Sequence, residues 1–229
     1  MADQKVSNER KKELEKLDFF QENLIKGMVL LKEQRNLFFM GLGAVLLVII
    51  VFSAVMLSIQ KSEDTAALKV SRAMAKYAGF EDPNKGYLEV KDTFETVFKE
   101  YSNTHAGKQA RLKFAKICYD ASKFDESLIH YKEALAIFEG QALMTNFILA
   151  SLGHVSISKK DFGGAAQYFQ QIKESETNLL KDEAGFALAM ISKNSGNIAE
   201  SKKMYETIVS DHQNSIYLPI AKGQIDMIR

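Results

Sequence analysis

The sequence is poor in the residues that staple, ligate or break a chain. It has one cysteine, Cys118, in 229 residues. No intramolecular disulfide can form, and a cysteine-rich zinc site is excluded. The redox compartment is left open by this count. Two prolines and 13 glycines are few for a β-rich fold with many turns. Long stretches of Ala, Leu, Lys, Glu, Gln and Met favour helix instead. Charge of one sign is also missing: 30 basic against 29 acidic residues leave +1. A nucleic-acid-binding domain carries a net basic face, so the balance speaks against that class.

Catalytic constellations are lacking too. The histidines are His105, His130, His154 and His212, and none stands at the i, i+4 spacing of a helical metal pair. They read as surface or turn residues. Gly163-Gly164 is not followed by Lys-Ser or Lys-Thr at the spacing of a phosphate-binding loop, and it reads as the opening of a helix. No G-x-S-x-G nucleophile elbow occurs. Cys118 falls on an apolar helix face and reads as a small buried hydrophobe. The sequence therefore predicts no enzyme, no metal, no cofactor and no small-molecule substrate.

What is present is one long apolar run. From Asn36 to Gln60 there is no charged residue, and Leu37 to Ile59 reads LFFMGLGAVLLVIIVFSAVMLSI. As a helix, about 23 residues at ~1.5 Å each cover the ~30 Å hydrocarbon core of a bilayer. The core helix of a soluble protein keeps a polar stripe, and this run has none. A cleaved signal peptide has a shorter run and a short basic start, whereas about 36 residues precede this one. Residues 37–59 are predicted to be a single transmembrane helix. Flanking charge does not orient it: Lys26, Lys32 and Arg35 precede it, and Lys61, Lys69 and Arg72 follow it. Farther out, Arg10, Lys11, Lys12 and Lys16 lean toward a cytoplasmic N-terminus.

Residues 1–36 form a polar to amphipathic arm. Residues 1–12 read as frayed. Leu14, Leu17, Leu24, Met28 and Leu31, with Phe20 beside them, recur at helical spacing from Glu13 onward. Such a helix suits a membrane surface, a partner or a second copy of itself, or is simply a modest helix continuing into the span. Gln21 interrupts the heptad, so a long coiled coil is not expected.

Residues 60–229 repeat. FETVFKEYSNTHAGKQA from Phe94 aligns without gaps on YETIVSDHQNSIYLPIA from Tyr205. The distance from 94 to 205 is 111, or three periods of 37. Phe124, Phe162 and Ile198 mark the units between. Seven residues after each comes a ring (Tyr131, Phe169, Tyr205), and ten after each comes Ala134, Ile172 or Ile208. Before them lie Phe114-Ala115, Leu152-Gly153 and Leu188-Ala189. Small residues let two helices approach, and the rings fill the space between them. Lys160-Asp161 and Gly196-Asn197 read as turns, with Asp161 and Asn197 as helix N-caps. A helical hairpin cannot bury its apolar face alone, so hairpins stack. The expected hairpins are 63–101, lengthened by an insertion around Glu81-Asp82-Pro83-Asn84, then 105–139, 141–176 and 178–211. A capping helix is expected over 215–229, with Pro219 in its first turn.

This pattern resembles the tetratricopeptide repeat, best in the second unit (Leu152-Gly153, Phe162, Ala165, Phe169). Ser127 and Ser201 stand where the family has Ala. The resemblance covers about residues 63–229 and implies an all-α hairpin solenoid that binds proteins. In such domains the first helix of each hairpin lines the concave face. By alignment that face includes Gln109, Leu112, Lys116 and Tyr119, then Phe147, His154 and Ile157, then Phe186, Met190 and Lys193. A Lys/Asn-rich clamp for a terminal carboxylate is not evident.

The order of arm, span and repeat domain further resembles the YfgM-type family, ancillary subunits of the bacterial Sec translocon. SEDTAALKVSRAMAKY, just past the span, fits the helix that opens such a domain. The resemblance implies an inner-membrane protein with a cytoplasmic N-terminus and a periplasmic C-terminal domain. It also implies partners among the translocon, periplasmic chaperones and exported proteins. The longer, charged arm departs from the family. A scaffold of another envelope complex, such as cell-wall or division machinery, and a sensor whose arm signals inside are the rival readings.

Overall fold

The computed structural model describes residues 19–33 and 35–228. The residues expected to be frayed (1–12), and Leu14 and Leu17 of the arm's stripe, lie outside them, as do the side chains of Phe20 and Leu31. Every regular element described is helical: α1 Phe19–Glu33, α2 Arg35–Ala78, α3 Pro83–Glu100, α4 His105–Asp120, α5 Phe124–Ile137, α6 Ala142–Ser158, α7 Phe162–Glu174, α8 Lys181–Asn194, α9 Ile198–Asp211 and α10 Leu218–Met227. The chain divides into two compact units, residues 1–58 and 59–229.

In the first unit, α1 exposes Leu24, Ile25, Met28 and Val29, and Lys26 pairs with Glu22 one turn away. The apolar run falls on α2. Among the described residues this is the one helix long and apolar enough to cross a membrane, and its most apolar window has no buried residue. Every side chain described between positions 36 and 61 is exposed.

The second unit opens with the rest of α2, where the pattern changes. Ala66, Val70 and Ala73 are buried at spacings of four and three, the mark of a helix with one packed face. Val70 and Ala73 join Tyr87, Val90, Phe94 and Val97 of α3 and Phe114 and Ile117 of α4 in one core cluster. The Phe94 and Phe114 rings stack with centroids 5.0 Å apart. Gly86 sits where a Cβ would come 2.7 Å from the Tyr77 ring. The insertion expected around residues 81–84 is the α2–α3 turn itself: Asp82 caps α3, its carboxylate accepting from the Asn84 N–H at 2.9 Å.

From α3 onward each helix packs on the next, in hairpins α4–α5, α6–α7 and α8–α9. The three hairpin turns share one geometry. Ser122, Lys160 and Gly196 occupy equivalent left-handed positions, with φ of 58°, 63° and 82°. The N–H that follows each one reaches back to a helix carbonyl: Lys123 to Cys118, Asp161 to Ser156 and Asn197 to Ser192, at 2.7, 2.8 and 2.9 Å. This is the six-to-one bond that closes a Schellman motif. Only the third turn uses the glycine that the conformation favours.

Inside the hairpins the small-against-ring rule holds. Ala115, Gly153 and Ala189 are buried on the first helices, and Tyr131, Phe169 and Tyr205 on the second. A Cβ on Gly153 would lie 2.6 Å from the Phe169 ring, so glycine there sets the approach of α6 to α7. Ser127 donates to the Ala115 carbonyl at 2.8 Å, fully buried. Its equivalent, Ser201, is buried near the Tyr205 phenol without meeting hydrogen-bond geometry. Asp161 caps α7 through the Gly164 N–H at 2.9 Å. Asn197 occupies the cap position of α9 but makes no side-chain cap bond, which corrects the expectation of a capping side chain. Leu180, φ 63°, opens α8 after a short irregular segment whose Leu179 carbonyl accepts from Asn146 at 2.9 Å.

His130 corrects another expectation. It is packed rather than at the surface, its ring 5.1 Å from that of Phe114 and 5.2 Å from that of Phe98. Burial pulls its pKa below the ordinary histidine value, against the raising effect of Glu133.

Candidate functional site

The repeat domain holds a pocket of about 290 Å³, lined by Lys116, Tyr119, Tyr131, Ser151, His154 and Val155. It lies between α4 and α6, the first helices of successive hairpins, and reaches Tyr131 of α5 between them. Tyr131 is buried in one cluster with Ala115 of α4 and Leu152 of α6.

The walls are amphipathic. Tyr119 packs its ring at 5.8 Å from Phe124, and its hydroxyl accepts from Ser158 Oγ at 3.3 Å. Burial raises the Tyr131 pKa, with the Ser151 hydroxyl working against it, so the phenol stays protonated as a donor. Two of the pocket's nitrogen-bearing side chains are already engaged. Lys116 Nζ bonds Asp120 Oδ2 at 2.7 Å, and His154 Nε2 lies 2.6 Å from Glu183 Oε1. The His154 ring also meets Phe169 edge-on at 5.4 Å. A pocket with aromatic walls, hydroxyls and a lysine already paired to Asp120 suits an apolar or aromatic side chain with a hydrogen-bonding end better than a bare anion.

Of the ten sequence-predicted face residues, the structure brings Lys116, Tyr119 and His154 together here. The other seven stand apart from this pocket. Gln109 is exposed on α4, its Nε2 2.9 Å from His105 Nε2. Phe147 and Met190 are exposed, at 53% and 45%. Ile157 packs with Leu149, Phe169 and Leu188, and Leu112 packs beside Tyr131 and Leu152. Phe186 stacks on Tyr217 with centroids 4.8 Å apart, and Lys193 bonds Gln224 Oε1 at 2.6 Å. These last two join α8 to the α10 segment. Sequence reasoning missed Tyr131, Ser151 and Val155. Tyr131 reads as an interior ring from its place seven residues after Phe124. Ser151 and Val155 flank His154 on α6 and could have been found by extending the predicted face by one turn.

A second group joins α3 to the first hairpin. Tyr87 donates to Glu126 Oε2 at 2.6 Å, and Lys91 Nζ lies 3.4 Å from Glu126 Oε1. Burial opposes ionisation of Glu126, but these two partners hold its pKa below the usual value. Cys118, buried beside it, has its thiol pushed up to about 12, first by burial and then by the Glu126 charge, so it is inert at neutral pH. Among the described residues, no three His, Cys, Asp or Glu side chains gather as a metal ligand set.

No protein-family model and no curated protein matches the chain. Among solved structures, it is similar to the crystal structure of a tetratricopeptide repeat protein from Parabacteroides merdae. The TM-score is 0.56 at 13% identity, over 71% of this chain and 60% of that one. At that identity the likeness establishes the fold, a helical-hairpin solenoid. The chain spans less than two thirds of that protein's length.

Proposed function

We propose that this chain is a membrane-anchored protein-interaction module. Residues 37–59 are the span, and residues 60–229 present the face of α4, α6 and α8 to polypeptide partners. The observation that carries the reading is the change of pattern along α2. An apolar stretch of more than twenty residues leaves every described side chain exposed. A bilayer is the environment in which that arrangement is favourable, since ~25 cal/mol per Å² of exposed apolar surface would otherwise face water. The stretch is followed directly by a helix face packed into a tetratricopeptide-like array. That fold builds recognition surfaces from stacked helices.

Within this reading the module is an accessory of the secretory translocon that handles exported proteins, with its N-terminus cytoplasmic and its repeat domain periplasmic. The support is the resemblance in segment order: arm, span, then a repeat domain starting at the membrane. The pocket at Lys116, Tyr119 and His154 is the proposed anchor point for a client side chain, with Gln109, Phe147, Ile157, Phe186, Met190 and Lys193 extending the same face. Two experiments test this. A topology reporter fused after Arg229 is expected to signal from the periplasm, and a cytoplasmic signal sinks the translocon assignment. A photo-crosslinking residue at Tyr119 is expected to trap translocon subunits or exported polypeptides in membranes. The same probe at Lys202, on α9, should trap far less; equal trapping at both positions defeats the assigned face.

A further inference from the structure

A second pocket of the repeat domain, about 180 Å³, lies where the end of α7, the start of α8 and the end of α9 meet. Its charged groups stand differently from those of the first. Lys173 comes from the last turn of α7, Lys181 opens α8 and His212 directly follows α9. Among the described residues, none of these three side chains has a hydrogen bond or ion pair within the chain. In the first pocket, by contrast, Lys116 bonds Asp120 and His154 meets Glu183. The acids next to Lys181 in sequence are turned elsewhere. Asp182 accepts from Ser215 Oγ at 2.6 Å, and Glu183 is the partner of His154. One acid lines the pocket, Asp211. It accepts from Ser210 Oγ at 2.7 Å and pairs with neither lysine.

Charge and size narrow the ligand. Two ammonium groups against one carboxylate leave a single positive charge, with the imidazole counted as neutral. A monoanion balances that charge, whereas a phosphate group, with nearly two negative charges at neutral pH, exceeds it. Most of the remaining lining is apolar: Gly185, Met204 and Ile208. The Thr207 hydroxyl already donates to the Lys203 carbonyl at 3.0 Å, so donors for an anion come from the lysines and the imidazole. The volume lies below the ~300–1,000 Å³ of sites for drug-sized ligands, which calls for a short molecule. We propose that this pocket binds a small organic monocarboxylate, its carboxylate taken by Lys173 and Lys181 and its hydrocarbon part set against Met204 and Ile208. Charge-assisted hydrogen bonds of this kind are the stronger ones. The site stands apart from the face of α4, α6 and α8, and its assignment does not depend on the translocon reading.

Titration of the full-length chain, purified in detergent, with butyrate tests this, read by saturation-transfer NMR on the butyrate protons. The expected result is saturable binding of butyrate and none of butanol, which has the same body without the charge. Inorganic phosphate should compete poorly. The double variant Lys173→Gln/Lys181→Gln should bind butyrate at least about tenfold more weakly. Neither lysine is buried or paired, so the variant folds, which its unchanged melting temperature checks. Lys203→Gln, on the exposed side of α9 and outside the lining, should bind as the unmodified chain does. Four results overturn the proposal: no saturation by about 10 mM butyrate, equal binding of butanol, tighter binding of phosphate than of butyrate, or full binding by the double variant.

Discussion

The two ends of α2 are built on opposite principles. Between Leu37 and Ile59 apolar residues occur without period, and each described side chain is exposed. Between Ala66 and Ala73 apolar residues recur at helical spacing, and that face is buried against α3 and α4. A helix beside water needs a polar side, so its apolar residues gather into a stripe. A helix inside hydrocarbon needs none, and the period disappears. On the proposed membrane reading the same backbone records two solvents, and the change of pattern falls within a few residues of Gln60. The first side chain to reach across the repeat domain comes just after that change. Glu63 accepts from the His105 and Ala106 N–H groups at 2.6 and 2.7 Å, capping α4 from 42 residues away beside its own cap, Thr104.

The comparison can be broken by making equal changes on its two sides. Phe94→Ala removes a fully buried ring from the cluster packed on the later part of α2. It should cost the repeat domain about 3–5 kcal/mol, read by urea unfolding. Phe52→Ala in the span should leave that unfolding curve in place. A shared loss of stability would mean that the apolar run packs on protein after all. Val48→Asp is the converse. A carboxylate at the centre of a span costs about 2.5–3.5 kcal/mol of insertion, so the membrane-bound fraction should drop while the domain's unfolding midpoint stays put.

Within the repeats the contrast is finer, because Ser127 and Ser201 are equivalent positions with different surroundings. Ser127→Ala should destabilise by about 1 kcal/mol through the lost bond to Ala115, whereas Ser201→Ala should be neutral or stabilising. Thermal melts of the two variants that shift by the same amount would erase the distinction. The smallest effect is that of acid on His130. Its pKa is depressed in the folded state, so the unfolded chain binds the proton more tightly. Stability is full above the ordinary histidine value near ~6.5 and declines as pH falls below it. Chemical denaturation at pH 7 and pH 5 should show this decline reduced in His130→Gln.

The fold class was legible in the sequence because it rests on size alternation with a period. Gly153 against Phe169 and Ala115 against Tyr131 are choices that only close helix packing demands, and they recur often enough to be counted. The turn at Gly196 was legible from its glycine, and the one at Lys160 from the Asp that follows. The pocket was half legible. Lys116, Tyr119 and His154 follow from knowing which helix faces outward, but Tyr131 belongs to the other helix and reads as core until the gap beside it is seen. His130 was misread because nothing in its own helix signals that Phe98 and Phe114, from two other helices, close over it. The Glu63 cap was invisible for a related reason. A contact between residues 42 positions apart leaves no local spacing, and Glu63 on its own is one more charge on a helix surface.

The most direct test of the central claim is the partition of the full-length chain after alkaline carbonate washing of cell membranes. The expected result is that the chain stays in the membrane pellet and floats with lipid on a density gradient, while Val48→Asp shifts it toward the soluble fraction. Recovery of the unmodified chain in the carbonate supernatant would contradict the account, because the exposed run from Leu37 to Ile59 would then need a protein partner instead of a bilayer.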